Sequence, residues 1–182
     1  GDGVRVRAFN FDPIFDLLSY GLVYDPVRAA EILQIRVWLE VAAVADAVDK
    51  LSDAALDEVA ALLDQWQAKA TRGEDVSDDD RSFHRMLYTP LDNESLIRLI
   101  DIFWVIYHSL AVEKIGADRD PLATVQVHRD LLQAIRARDA ALAAQRMRQH
   151  FNKLEDRLAK AIEHSQGNGS TDHTPLPILS SN

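Results

Sequence analysis

Residues 80–87 read DRSFHRML. On a helix, Asp80, Phe83, His84 and Leu87 fall at i, i+3, i+4 and i+7, the spacing of one core-facing stripe. An aspartate and a histidine therefore point into the same interior as a phenylalanine and a leucine. Burying a polar group without a partner costs a few kcal/mol, so this stripe calls for partners from other segments.

Outward from it, apolar residues recur with helical period almost everywhere after Asn10. Asp25-Pro26 opens a helix running roughly from Val27 to Leu51. Ser52 or Asp53 caps the next, to about Arg72, with Gly73 as its stop; Ser77 caps the helix carrying DRSFHRML, which ends before Pro90. Asn93 begins an apolar, central helix. Asp118 to Asp120 with Pro121 start another, and Asp139 marks a tight turn into a last long helix ending near His164. Six or seven antiparallel helices with short loops predict an all-α bundle over residues 26–164.

The flanks read differently. GDGVRVRAFN alternates Val4, Val6 and Ala8 with Arg5 and Arg7 after a Gly-Asp-Gly turn, the pattern of the second strand of a hairpin. One strand is not stable alone, so residues 1–10 read as the end of a small β-wing in a longer protein. Residues 11–25 are expected to form a short linker helix opened by Asp12-Pro13, and the polar, Gly- and Pro-bearing residues 165–182 a disordered tail.

Composition narrows the function. With 47% hydrophobic residues, 182 residues can bury a sizeable core. The absence of cysteine excludes disulfides, thiolate metal sites and cysteine nucleophiles, which leaves His, Asp and Glu to hold any metal. A net charge of -9 argues against gripping a polyanion over a broad surface. The longest apolar tract, Leu96 to Val112, is broken by Arg98, Asp101 and His108, too polar for a membrane span, and the N-terminus lacks a signal-peptide pattern. A cytoplasmic protein with no membrane partner is expected. No phosphate loop, nucleotide fingerprint or Ser-His-Asp order is present.

Two further histidines face inward: His128 with Val125, Leu131, Leu132 and Ile135, and His150 with Met147 and Leu154. Alone, each reads as a core histidine bonded to a neighbouring carbonyl. Together they read otherwise. If the chain turns near Arg138 and Asp139, His128 and His150 both stand about 15 Å from the turn on antiparallel helices and come level. With Asp80 and His84 they make one carboxylate and three imidazoles from three helices, a set suited to a divalent first-row metal such as zinc, nickel or manganese with positions open to a ligand. Arg36, on a face with Ile32, Leu39 and Ala43, is read either as an ion pair with Glu40 or Glu31 or as a guanidinium gripping a carboxylate ligand. Asn93 is a helix cap or, alternatively, a lining residue of that pocket; Tyr107 and His108 are core or interface residues or, alternatively, line it too.

These residues resemble a known family, the effector-binding C-terminal (FCD) domain of FadR-subfamily, GntR-type bacterial transcription regulators. The resemblance spans about Pro26 to His164 and rests on EILQIRVWLEVAAVADAV, DRSFHRML, VHRDLLQAI and RMRQHF. One departure stands at Arg138, where the family often has Gly. The resemblance implies that GDGVRVRAF ends the wing of a winged helix-turn-helix head that reads operator DNA. It implies metal ligation by Asp80, His84, His128 and His150, contact of a small organic acid with the metal and with Arg36, a homodimer, and no catalysis. The competing expectation is a metal-dependent enzyme acting on a small carboxylate, with Glu31 or Glu40 as candidate bases.

Overall fold

The computed structural model describes residues 26–110 and 120–168. The expected wing strand, linker helix and tail beyond residue 168 lie outside the described residues. Within them the chain forms seven α-helices and no strand: α1 (Pro26–Val48), α2 (Asp53–Thr71), α3 (Ser77–Tyr88), α4 (Glu94–Leu110), α5 (Pro121–Arg136), α6 (Ala140–His150) and α7 (Asn152–Asn168), with a 3-10 turn at Thr89–Leu91. The expected all-α bundle is what forms.

Local chemistry sets most of the boundaries. The side chains of Ser52, Asn93, Asp120 and Asp139 accept hydrogen bonds from the backbone N–H groups of Ala55, Leu96, Ala123 and Leu142, satisfying donors that a helix start leaves open. Gly73 ends α2 with φ +70, where a side chain would be strained. Ser77 departs from its expected capping role. Its N–H and Oγ both donate to Asp75 Oδ1, at 3.0 and 2.7 Å, so it is the first helical residue and Asp75 holds the turn before it.

Arg138 occupies the left-handed region at φ 56, the conformation that favours glycine. Its guanidinium offsets that strain by donating to the carbonyls of Val48 (2.5 Å) and Leu51 (2.6 Å) and to Asp53 Oδ1 (3.0 Å). The α5–α6 turn is thereby tied to the α1–α2 turn, fixing the axial register of the two helix pairs.

Two expectations about packing are corrected. The apolar helix α4 is not central: it packs against α1 and α3, and Val105 on it is exposed. The centre is α1, which touches α3, α4, α6 and α7 and buries Val37, Val44, Ala47 and Val48. Small and β-branched residues let several helices approach it closely. The last long helix is two helices, α6 and α7, meeting at Phe151. Phe151 is itself buried, with the Arg36 guanidinium 5.0 Å above its ring. No Gly or Pro marks the break, so the helical period runs through it. Fully buried Leu63, Phe83, Leu87, Leu131 and Ile135 join α2, α3 and α5 around the interior, each contributing about 1.5–3 kcal/mol by leaving water.

Candidate metal centre

α3, α5 and the C-terminal end of α6 converge on one point, and there the structure brings together Asp80, His84, His128 and His150, one ligand atom of each lying within 4.8 Å of all the others. His84 Nε2 lies 3.2 Å from His150 Nε2 and 3.8 Å from Asp80 Oδ1, and His128 Nε2 lies 3.1 Å from Asp80 Oδ1. Metal–ligand bonds of about 2.1 Å put neighbouring ligand atoms about 3–4 Å apart. The spacing matches a shared coordination shell.

The protons support the same reading. His84 Nδ1 donates to Glu40 Oε2 at 2.5 Å, and His128 Nδ1 donates to the Thr124 carbonyl at 2.8 Å. A neutral imidazole with its proton on Nδ1 presents a lone pair on Nε2. Both Nε2 atoms therefore face the centre as acceptors, beside a carboxylate and a third imidazole. Such a set needs positive charge between its members, either protons or one cation, and a carboxylate or carbonyl on the far nitrogen is the usual means of orienting a metal-binding histidine. The donor set fits a divalent metal.

The surroundings hold the set in its ligating state. Without a metal the positive charge falls to protons: burial alone would raise the Asp80 carboxyl, but a hydrogen bond from a protonated His128 and the charges of His84, His128 and His150 keep it well below the usual carboxylate range. Burial, followed by His128 and His84, pushes the His150 imidazole well below its ordinary value and so favours its neutral form. His84 and His128 are wholly buried, while Asp80 keeps 24% of its side chain accessible. Phe83 meets the His128 ring edge-on at 4.7 Å and Trp66 meets it at 4.4 Å, walls that fix its orientation.

Behind His84 lies a charged network that the sequence reading did not assemble. Glu40, fully buried, accepts from Arg36 Nε at 2.6 Å through Oε1, and from His84 Nδ1 and Tyr88 Oη (3.1 Å) through Oε2. Burial would raise the Glu40 carboxyl, yet His84 and Arg36 hold it below the usual range; burial and Glu40 push the Tyr88 phenol up, so it stays a donor. The signal for this network was partial: Arg36 and Glu40 stand at i and i+4 on an apolar face, as do His84 and Tyr88. That Glu40 faces His84, 44 residues away, carried none.

The other expected site residues fall apart from the tetrad or only approach it. Arg36 is buried and paired with Glu40, the first of its two readings, while its charge still acts on Asp80 and His150. Asn93 is exposed and caps α4, beside a surface groove lined by Leu39, Asp46 and Leu99 rather than beside the tetrad. Tyr107 accepts from Arg157 Nη1 at 2.8 Å, and the His108 ring stacks on Trp104. Of the two candidate bases, Glu31 pairs with Arg28 at the surface and Glu40 is held by three donors.

Residues 31–153, more than half of the chain, match the FCD domain family model. This chain belongs to the FCD domain family. The transcriptional regulatory protein NedR, so named, of Micromonospora viridifaciens is 27% identical to this FCD domain over 106 residues, covering 58% of this chain and 77% of the relative. Escherichia coli McbR/YncC shares its fold with a TM-score of 0.57 at 24% identity, over 77% of this chain. The FCD chain described here spans about two thirds (65%) of that structure. The matched region runs from α1 to the start of α7 and contains all four tetrad residues. No described helix is long and apolar enough to cross a membrane.

Proposed function

We propose that this FCD domain is the effector-sensing part of a DNA-binding transcription regulator, holding a divalent metal through Asp80, His84, His128 and His150 and responding to a small organic acid. The family and the NedR relative support a regulator rather than an enzyme. One observation carries the metal: four ligand atoms from three helices converge within 4.8 Å, two of the imidazoles being oriented through their far nitrogens.

When bound, the metal supplies a Lewis-acidic position for a carboxylate oxygen. The chain's own residues do the rest. Glu40 and the Thr124 carbonyl hold His84 and His128 in the ligating tautomer. Arg36 adds positive charge near Asp80 and His150 on the side of α1 and Phe151. α3, α5 and α6 each contribute at least one ligand, so occupancy ties three helices together, and an effector that prefers one arrangement of them shifts that equilibrium by its differential affinity. The domain acts in a homodimer whose N-terminal heads read operator DNA, most simply as a repressor.

The test is metal content by elemental analysis of protein purified without chelators or a histidine tag, beside His128→Ala. Thermal shifts against small organic acids follow. About one metal per chain, lost in the variant, with an acid stabilising only the metal-loaded wild type, is the expected result. Wild type that resists metal loading would overturn the metal, and equal DNA affinity of the full-length regulator with and without the stabilising acid would overturn the sensor.

A further inference from the structure

The ligands of the proposed centre are not held alike. His84 and His128 lie inside their helices, are wholly buried, and have their far nitrogens fixed by Glu40 Oε2 at 2.5 Å and by the Thr124 carbonyl at 2.8 Å. His150 differs in three respects. It is the last residue of α6, it is half-buried, and no described residue bonds its Nδ1. Its Nε2 nonetheless stands 3.2 Å from His84 Nε2, within reach of a shared ion.

The next residue carries the connection. Phe151 is the single residue between α6 and α7, and its carbonyl accepts backbone bonds from Leu154 and Glu155, both at 3.0 Å, so it holds the first turn of α7. Its buried ring lies 4.8 Å from the His150 ring and 5.0 Å beneath the Arg36 guanidinium. Beyond it α7 lies on α1, where Leu154 and Leu158 share a cleft with Ala29, Ile32 and Leu33. Arg36 in turn donates to Glu40, which holds His84. The path from His84 through Glu40, Arg36 and Phe151 to His150 therefore returns to the tetrad, and its last gap, 3.2 Å between the two Nε2 atoms, is one that a bound ion bridges.

Resting on the metal reading above, we infer that Asp80, His84 and His128 form the pre-held part of the site, and that His150 engages last, its closure on the ion setting how α7 sits on the N-terminal half of α1. A partner on the far nitrogen of a metal-binding histidine is worth about 10–100-fold in affinity, so the histidine without one contributes least. Helix ends fray before helix interiors, so the same histidine has the most order to gain on binding. Asp80, although partly accessible, stands one turn before His84 on α3 and contacts His128, so it belongs with the pre-held pair. Engagement of His150 fixes the residue before the break, and with it the direction in which α7 leaves α6. α1 starts at Pro26, one turn before Ala29, so the seating of α7 is the feature by which occupancy of the centre reaches the end of the domain that leads to residues 1–25.

Chelator competition and amide hydrogen exchange test this on the full chain, with whichever of the zinc, nickel and manganese ions binds most tightly. His150→Ala is expected to lose about 10–100-fold less metal affinity than His84→Ala or His128→Ala. In wild type the ion should slow exchange in α3, α5, α7 and the N-terminal half of α1. In His150→Ala saturated with the same ion, the slowing should persist in α3 and α5 and disappear from α7 and the start of α1. If His150→Ala does not fold, as read by circular dichroism, His150→Leu fills the same half-buried space without a ligand atom and takes its place. Loss of metal from the His150 variant as complete as from His128→Ala would make His150 an equal ligand and overturn the order of engagement. Protection of α7 in the loaded variant equal to that in wild type would overturn the coupling through the break. Wild type that binds none of the three ions would remove the metal reading and this inference with it, whereas the other two failures leave an ion bound to wild type.

Discussion

Replacing Glu40 with Gln separates the metal site's outer support from ordinary core packing. Three donors, Arg36 Nε, His84 Nδ1 and Tyr88 Oη, converge on the two oxygens of Glu40. An amide has one oxygen, so its NH2 must face a donor in either orientation. Facing Arg36, it leaves a buried guanidinium without its counter-charge. Facing His84, it makes Nδ1 an acceptor, moves the ring proton to Nε2 and removes the lone pair from the tetrad. Breaking a buried ion pair costs about 3–5 kcal/mol, and because Gln keeps the shape and one acceptor the loss should lie near 3. A domain stable by about 5–15 kcal/mol remains folded after that, so its metal affinity can be measured. Loss of a residue orienting a metal-bound histidine lowers affinity about 10–100-fold. Denaturant titration of metal-free protein reads the first quantity, and competition with a chromophoric chelator reads the second. A Glu40→Gln variant that loses stability but binds metal within twofold of wild type would show that Glu40 serves only as the counter-ion of Arg36.

Three other perturbations test separate parts of the structure. Asp101 on α4 is buried and accepts from Arg81 at 2.9 Å and from Arg85, both on α3; burial would raise its carboxyl, but the two arginines hold it below the ordinary value of 3.8. A depressed carboxyl contributes stability above its unfolded value that is lost as pH falls, so Asp101→Asn should be less stable than wild type at pH 7 and the gap should close below about pH 4, as read by denaturant midpoints. Arg138→Gly relieves a left-handed residue, worth about 1–2 kcal/mol, but removes charge-assisted bonds to two carbonyls worth about 1.5–3 kcal/mol each, so a net loss of about 2 kcal/mol is expected in chemical denaturation, and a more stable variant would contradict the account of that turn. Trp66 is buried with its indole N–H lacking a hydrogen-bond partner among the described residues; Trp66→Phe removes that donor and should cost under about 2 kcal/mol, against about 3–5 for Trp66→Ala.

Much of the site was legible because two short-range rules reach it. The helical period put Asp80, His84, His128 and His150 on apolar faces, and the turn at Arg138 and Asp139 set the distances that level His128 with His150. The caps at Ser52, Asn93, Asp120 and Asp139 were readable for the same reason: each bonds an N–H three residues on. Where two local signals competed, the reading slipped. Asp75 rather than Ser77 holds the turn before α3, and the break at Phe151 leaves no mark in the helical period.

The sequence by itself determined the helical class, most helix starts and the four residues of the tetrad, because periodicity and capping act over one or two turns of chain. Only the tertiary structure decided that α1 and not the more apolar α4 lies at the centre, and that Glu40 orients His84 across 44 residues. Those facts depend on which helix faces meet. Hydrophobic burial is non-directional, so pattern alone buries a face without naming the helix that covers it.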